Sequence, residues 1–251
     1  MPSRPRTSPG SESAPNALAR PYRGVEAVER RAVRRRRLLE AGLDLLGSDQ
    51  PEIPELTVRS VCQRAGLTSR YFYESFTDKD EFVGGVFDAV VADIAATSQA
   101  AVAAAPAREQ NRAGIANIVR TIAGDARIGR LLFNTQLANS VIVRKRAESN
   151  GVFAMLSSQH AANFLREPPD DRVKAAAHFA VGGVGQTISA WLAGDVRLTP
   201  DQLVDQLTVL IDEIADPNLY QCHNAPTSAS SGTAGQFKQR FVDGHLPASD
   251  R

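Results

Sequence analysis

Cysteine is nearly missing from this chain. There are two, Cys62 and Cys222, far apart and without ligand-type spacing. This argues against a disulfide framework and a structural zinc site, and it fits a reducing cytoplasm. No run of about 18 or more apolar residues occurs, so no membrane span is expected. The opening residues are rich in Pro, Ser and Arg and hold no apolar stretch, which argues against a secretory leader. An excess of one charge is lacking too: 29 Lys and Arg face 28 Asp and Glu, a net of +1. Such a chain is no polycation, and a DNA-packaging role is disfavoured. Any affinity for nucleic acid has to come from local concentration of charge. Strand signals, meaning alternating β-branched runs closed by tight turns, are missing. So are paired carboxylates, a Ser-His-Asp set and any metal motif. No cofactor or metal is therefore expected, and an enzyme is not; a helical enzyme or ligand-binding protein using a C-terminal cavity is the alternative reading.

What is present is helical periodicity. Residues 1–26 hold prolines without periodic hydrophobics and read as a disordered basic arm, and 217–251 as a flexible Ser-, Ala- and Gly-rich tail. The body between them reads as all-α with about nine helices. Leu38, Gly42, Leu45 and Leu46 repeat at helical spacing beside a charged face. Gly47, Pro51 and Pro54 break the chain. Thr57 is an N-cap, followed by Val58, Val61, Cys62 and Ala65 at helical positions, and Gly66 closes that short helix. A second short helix is predicted from Thr68 or Ser69 to Phe76. A longer one follows from Thr77 or Asp78, with the stripe Phe82, Val86, Phe87, Val90, Val91 and Ile94. Further helices are predicted at about 109–123, 126–148, 150–166, 170–193 and 200–215.

The order helix, break, short helix, Ala-Gly-Leu turn, short helix is that of a helix-turn-helix. On the second short helix Phe72 and Phe76 share one face with Leu67 and are read as core, along with Val58, Val61, Leu38 and Leu45. Thr68, Ser69, Arg70 and Tyr71 fall on other faces, and Tyr73 lies at an edge. These outward residues suit base edges and phosphates: short donors at Thr68 and Ser69, a bidentate guanine reader in Arg70, a hydroxyl or thymine contact from Tyr71. Arg30, Arg31, Arg34 to Arg37, Arg59, Arg64 and Lys79 flank the unit as candidate phosphate contacts; the plainer reading of such a run is a solvated helix face. Arg70 and Glu74 stand four apart and can form a surface pair.

Over about residues 31 to 91, including LTVRSVCQRAGLTSRYFYESFTDKDEF, the sequence resembles the TetR family of bacterial transcriptional repressors. Thr57, Ala65, Gly66, Leu67, Phe72, Tyr73, Phe76 and Lys79 stand at the family's motif positions. The resemblance implies that Thr57 and Thr68 contact phosphates or bases, that Tyr73 binds a phosphate and that Lys79 clamps the backbone; Val58 and Arg59 join the DNA-facing set. Two departures stand out. Glu74 replaces a frequent His, and either pairs with Arg70 or accepts from a cytosine amino group. Arg70-Tyr71 replaces a common Gly-Thr, so a different sequence would be read.

The expected organisation is then a helix-turn-helix DNA-binding domain at 27–91 and a helical regulatory and dimerisation domain at 92–216. The resemblance implies a homodimer built from the last two helices, a palindromic double-stranded operator and release by a small ligand, apolar or amphipathic. Phe179, Ile188, Trp191 and Leu192, then Leu203, Leu207, Leu210, Ile211 and Ile214, supply the apolar surface for pairing. Trp191, Phe133, Phe153, Met155 and Phe164 line a ligand cavity or fill ordinary core. The glycines of 182–186 lack a preceding strand and a P-loop Lys, so they read as close helix packing. His160 and His178 are isolated and read as core or rim residues.

Overall fold

The computed structural model describes residues 21–49, 56–134, 137, 139–165 and 168–214, without the side chains of 21–26, 164 and 165. The chain divides into the units Met1–Asp216 and Pro217–Arg251, and every described residue lies in the first. The arm over 1–20, the breaks at Pro51 and Pro54, Cys222, the Phe164 side chain and the tail from 217 lie outside the described residues.

The described residues form nine α-helices and no strand: α1 Pro21–Leu46, α2 Val58–Ala65, α3 Ser69–Tyr73, α4 Lys79–Ala104, α5 Gln110–Gly124, α6 Ala126–Phe133, α7 Ser140–Leu165, α8 Asp171–Ala193 and α9 Pro200–Ile214. The all-α reading agrees with this. Helix α1 begins at Pro21, inside the segment read as an arm; proline suits the first position of a helix, where an amide has no partner to lose. The largest difference lies in the middle. The break expected near residue 149 falls at 134–139, and α7 runs on through Asn150-Gly151. Asn139 explains the start of α7: its side-chain oxygen accepts from the amides of Val141 (2.9 Å) and Ile142 (3.3 Å). Past the glycine, Ala154, Ser158 and Ala162 keep a buried stripe, so packing overrides the local weakness of Asn-Gly.

Two cores hold the helices. The first gathers Leu38, Val61, Phe72, Phe76, Phe82, Val86 and Phe87, and extends without interruption to Leu131 of α6 and to Val141 and Ile142 of α7. Its centre is aromatic: the Phe82 ring lies 5.3 Å from Phe72 and 5.1 Å from Phe76. Each fully buried ring of this size contributes about 1.5–3 kcal/mol. The second core joins Ile115, Val119 and Ile122 of α5, Ile188 of α8, and Leu203, Val204 and Leu207 of α9. Ile118 and Ile128 touch both. Helix α4 is long and apolar enough, by composition alone, to cross a membrane. Here its Phe82, Val83, Val86, Phe87, Val90 and Ile94 are buried against the other helices.

Candidate nucleic-acid interface

The turn between α2 and α3 is built from three local devices. Thr57 caps α2: its hydroxyl accepts from the Ser60 amide (3.1 Å) while the Ser60 hydroxyl accepts from the Thr57 amide (3.1 Å). Gly66 ends α2 at φ +63°, a left-handed conformation that glycine adopts without strain. A Cβ there would also sit 3.0 Å from the Arg37 guanidinium. The Leu67 amide then donates to the Cys62 carbonyl at 2.9 Å, and Leu67 packs against the first core. Cys62 itself is buried, which raises its thiol pKa and leaves it mostly protonated.

Helix α3 is fixed by what it buries. Phe72 is fully buried and Phe76 nearly so. With these faces held, the helix has only one way to present the rest. Thr68, Ser69 and Arg70 are exposed, and Tyr73 is 61% exposed. Thr68 stands at the N-cap position without a side-chain capping bond, so its hydroxyl is uncommitted, unlike that of Thr57. Val58 is half-buried against the first core and also walls an open groove of about 680 Å³. Arg59, Gln63, Ser69 and Tyr73 line the same groove. Of the expected residues of α2 and α3 the groove brings together Val58, Arg59, Ser69 and Tyr73, with Gln63, which the motif does not mark; Thr57, Thr68, Arg70 and Tyr71 do not line it.

The arginine run divides in a way the sequence does not indicate. Arg35 donates to the Ser75 carbonyl (2.9 Å) and lies 4.3 Å over the Phe76 ring; Arg37 donates to the Ala65 carbonyl (2.7 Å). Both tie α1 to its neighbours in the three-helix unit, which leaves less of each guanidinium open to phosphate than the sequence implies. Arg64 pairs with Asp44 at 2.6 Å. Arg31, Arg36, Arg59 and Lys79 are exposed and have no ion-pair partner among the described residues. Arg34 lies between these extremes: its guanidinium stacks 4.4 Å over the Tyr71 ring and reaches Glu74 at 3.5 Å. Tyr71 is consequently half-buried, with a ring face already covered, rather than freely offered outward. Glu74 takes Arg70 at 3.0 Å on its other oxygen. Its charge is thus bracketed by two arginines.

Lys79 opens α4 beside acidic caps. Asp78 accepts from the Glu81 amide (2.8 Å), and Glu81 accepts from the Thr77 amide (2.6 Å) and hydroxyl (2.7 Å). The amide bond, then the hydroxyl bond, hold the Glu81 carboxyl below the usual carboxylate range.

Behind this surface, α6 clamps the end of α1. Arg127 pairs with Glu40 (2.8 Å), with Asp125 (2.6 Å) and with Asp44, which it shares with Arg64. Burial raises the Asp44 pKa, but the hydrogen bonds from Arg64 and Arg127 outweigh it and the net shift is downward. Arg130 donates to the Gly47 carbonyl at 2.9 Å. Nothing in the sequence pattern joins Arg127 to Asp44 and Glu40, which lie across 83 and 87 residues of chain.

The other candidates separate. Phe133 and Trp191 pack on the second core, Phe153 on the first, and Met155 is half-exposed. The glycines of 182–186 lie inside α8; Gly182 and Gly183 face open space, and only Gly185 approaches a neighbour, Phe133 at 4.0 Å. Close packing within this chain is therefore not their role at the first two positions. His178 is exposed and His160 half-buried, and no cluster of three metal-ligating groups occurs among the described residues.

Compared with solved structures, the described helices are similar to a TetR-family transcriptional regulator from Syntrophomonas wolfei, with TM-score 0.60, 12% identity, and 73% of this chain and 95% of that one covered. The fold is that of the TetR-type transcriptional regulators. The fatty acid degradation regulator FadR from Bacillus halodurans has TM-score 0.59, 12% identity and coverage of 71% and 94%. FadR from Bacillus subtilis, solved with stearoyl-CoA, has TM-score 0.56, 15% identity and coverage of 72% and 97%. No family model matches the chain, and no curated protein matches it. The TetR-type fold is thus shared with these three at 12–15% identity, and the helix-turn-helix unit is formed by α1 to α3.

Proposed function

We propose that this protein is a sequence-specific DNA-binding transcriptional regulator, a homodimer released from a palindromic operator by a small molecule. The observation that carries this is the division of α3 and its flanks: Phe72, and Phe76 just past a helix that ends at Tyr73 and not at Phe76 as expected, lock it down while Thr68, Ser69, Arg70 and Tyr73 stand outward. A recognition helix needs that arrangement, a fixed backbone and free donors, to place side chains at base edges. Arg31, Arg59 and Lys79, exposed around it, are the proposed phosphate contacts. Thr57 is proposed to act through its capping of α2 and its place at that helix's N-terminus. The DNA-binding unit is assigned to 27–91 and the regulatory and dimerisation part to 92–216.

Helix α4 is the proposed transmitter, since its first half shares the head's core and its second half packs on the regulatory helices. Lys145 of α7 pairs with Asp88 at 2.9 Å, and Asn117 of α5 donates to Thr97 (2.9 Å) and Ser98 (3.0 Å). A ligand entering between the middle helices would separate these ties and shift α4. An apolar or amphipathic compound fits the apolar character of both cores; one neighbour of the fold was solved with an acyl-CoA.

The test is selection of sequences from a random duplex pool with purified protein. A palindromic consensus is expected, with half-sites about 34 Å apart. The binding constant should fall steeply with salt, and recovery of no consensus would defeat the proposal.

A further inference from the structure

We infer that Glu74 is a specificity-determining positioning residue, which aims Arg70 at a guanine and does not itself contact DNA. The inference rests on the reading of α3 as the recognition helix. A carboxylate on that surface ought to repel phosphate, yet both of its oxygens are occupied. Oε1 accepts from Arg70 Nε at 3.0 Å, and Oε2 lies 3.5 Å from a terminal nitrogen of Arg34. Arg34 is held in turn over the Tyr71 ring at 4.4 Å, with only 24% of its side chain exposed. The Glu74 backbone is fixed as well, its amide donating to the Arg70 carbonyl at 3.0 Å. A simple i, i+4 pair on an isolated helix has none of this support from a second helix.

What matters is which edge of Arg70 the carboxylate takes. A guanidinium is planar with five N–H groups, and a guanine is read by two of them, donated in parallel to O6 and N7. Glu74 engages Nε, on the inner edge. The two terminal nitrogens have no partner among the described residues, and the Arg70 side chain is 84% exposed. The side chain most able to read guanine is therefore tethered at its base with its reading edge open. The tether removes rotamer freedom before DNA arrives, so less entropy is lost on binding. Arg34 meanwhile neutralises the carboxylate, leaving a net positive cluster toward DNA.

The experiment uses full-length protein in five forms: wild type, E74A, E74Q, R70A and the double variant E74A/R70A. Each is put through selection from random duplex DNA, then binding to the recovered site and to the same site with the key guanine·cytosine pair replaced. E74A should lower discrimination at that pair about tenfold, without losing affinity for unrelated duplex. E74Q, whose amide oxygen still accepts from Nε, should fall between wild type and E74A. In the R70A background, E74A should change nothing further at that pair. The thermal midpoint of R70A should be unchanged, since Arg70 is at the surface, and that of E74A should fall only slightly, through loss of the Arg34 contact. A preference lost at a different base pair, persisting without Arg70, would show Glu74 reading cytosine and overturn the inference. Uniform weakening of all sequences with a lowered thermal midpoint would make the residue merely structural and overturn it equally. If wild type enriches no sequence, the recognition-helix reading fails first and takes this inference with it.

Discussion

Arginine fills distinct roles along α1, and the partner that another helix brings within reach decides among them. Arg35 and Arg37 donate to backbone carbonyls of α3's end and α2's end, while Arg36 and Arg31 point to solvent. Removing Arg35 deletes a hydrogen bond and a stacking contact on Phe76, so Arg35→Ala should cost about 1–3 kcal/mol of stability. Its salt dependence of DNA binding should stay that of wild type. Lys79→Ala should do the opposite: an unchanged thermal midpoint and a salt slope reduced by about 1 per head. Denaturation curves together with binding titrations at several salt concentrations separate the two. Helical phase alone places Phe72 and Phe76 inward, because a four-residue spacing must share a face. It places Tyr73 outward too. It does not assign the arginines, since identical side chains on neighbouring positions differ only in what another helix brings near them. The half-burial of Tyr71 under Arg34 was hidden for the same reason.

Among elements, α6 is the piece the sequence describes least well, yet it touches α1, α4, α5 and α8. Periodicity carries a helix from Ala126 onward, but it gives no sign of the break at 134–139 that makes α6 a separate short helix. At the end of α6, Arg146 of α7 donates to the carbonyls of Leu131 (2.8 Å) and Asn134 (2.9 Å), a contact that exists only once α6 and α7 are packed. The approach of α1 to α6 is close. A Cβ on Gly47 would lie 2.6 Å from the Arg127 carbonyl oxygen and 2.7 Å from its Cα, backbone atoms that cannot swing aside. Gly47→Ala should therefore destabilise the protein by about 1–3 kcal/mol, measured by denaturant unfolding.

The ion cluster beside it makes a further prediction. Asp44 and Asp125 both have lowered folded pKa values; for Asp125 the Arg127 side-chain bond is the main cause, and for Asp44 the Arg64 and Arg127 bonds outweigh burial. A depressed carboxyl stabilises the fold above its unfolded value of about 3.9, and that stability is lost as pH falls through the folded value. Melting midpoints should hence drop below about pH 4, and Arg127→Met should flatten the drop. Equal drops in both proteins would mean that the cluster is not responsible.

At the scale of the molecule, α8 and α9 carry apolar surface that the other described residues leave open. Phe179 is 70% exposed beside Gly182 and Gly183, and Val209, Leu210 and Leu192 are also exposed. Small residues next to one large ring suit the close approach of a second helix pair, consistent with the proposed homodimer. Phe179→Asp should yield a monomer in analytical ultracentrifugation. Affinity for the palindrome should fall at least about a hundredfold through loss of avidity. A dimer that survives this change would place the interface elsewhere.

The sequence by itself determined the helical class, the cap and turn of the helix-turn-helix and the inward face of α3, because those follow from spacing and from residues such as Thr57 and Gly66 acting within one turn of chain. Only the tertiary structure decided which arginines face out, where α6 ends and what Glu74 holds. The Arg70–Glu74 pair is legible from its spacing, but the Arg34 contact that completes it, like the other two, comes from a partner on another helix, and a pairing between helices leaves no periodic trace in either segment.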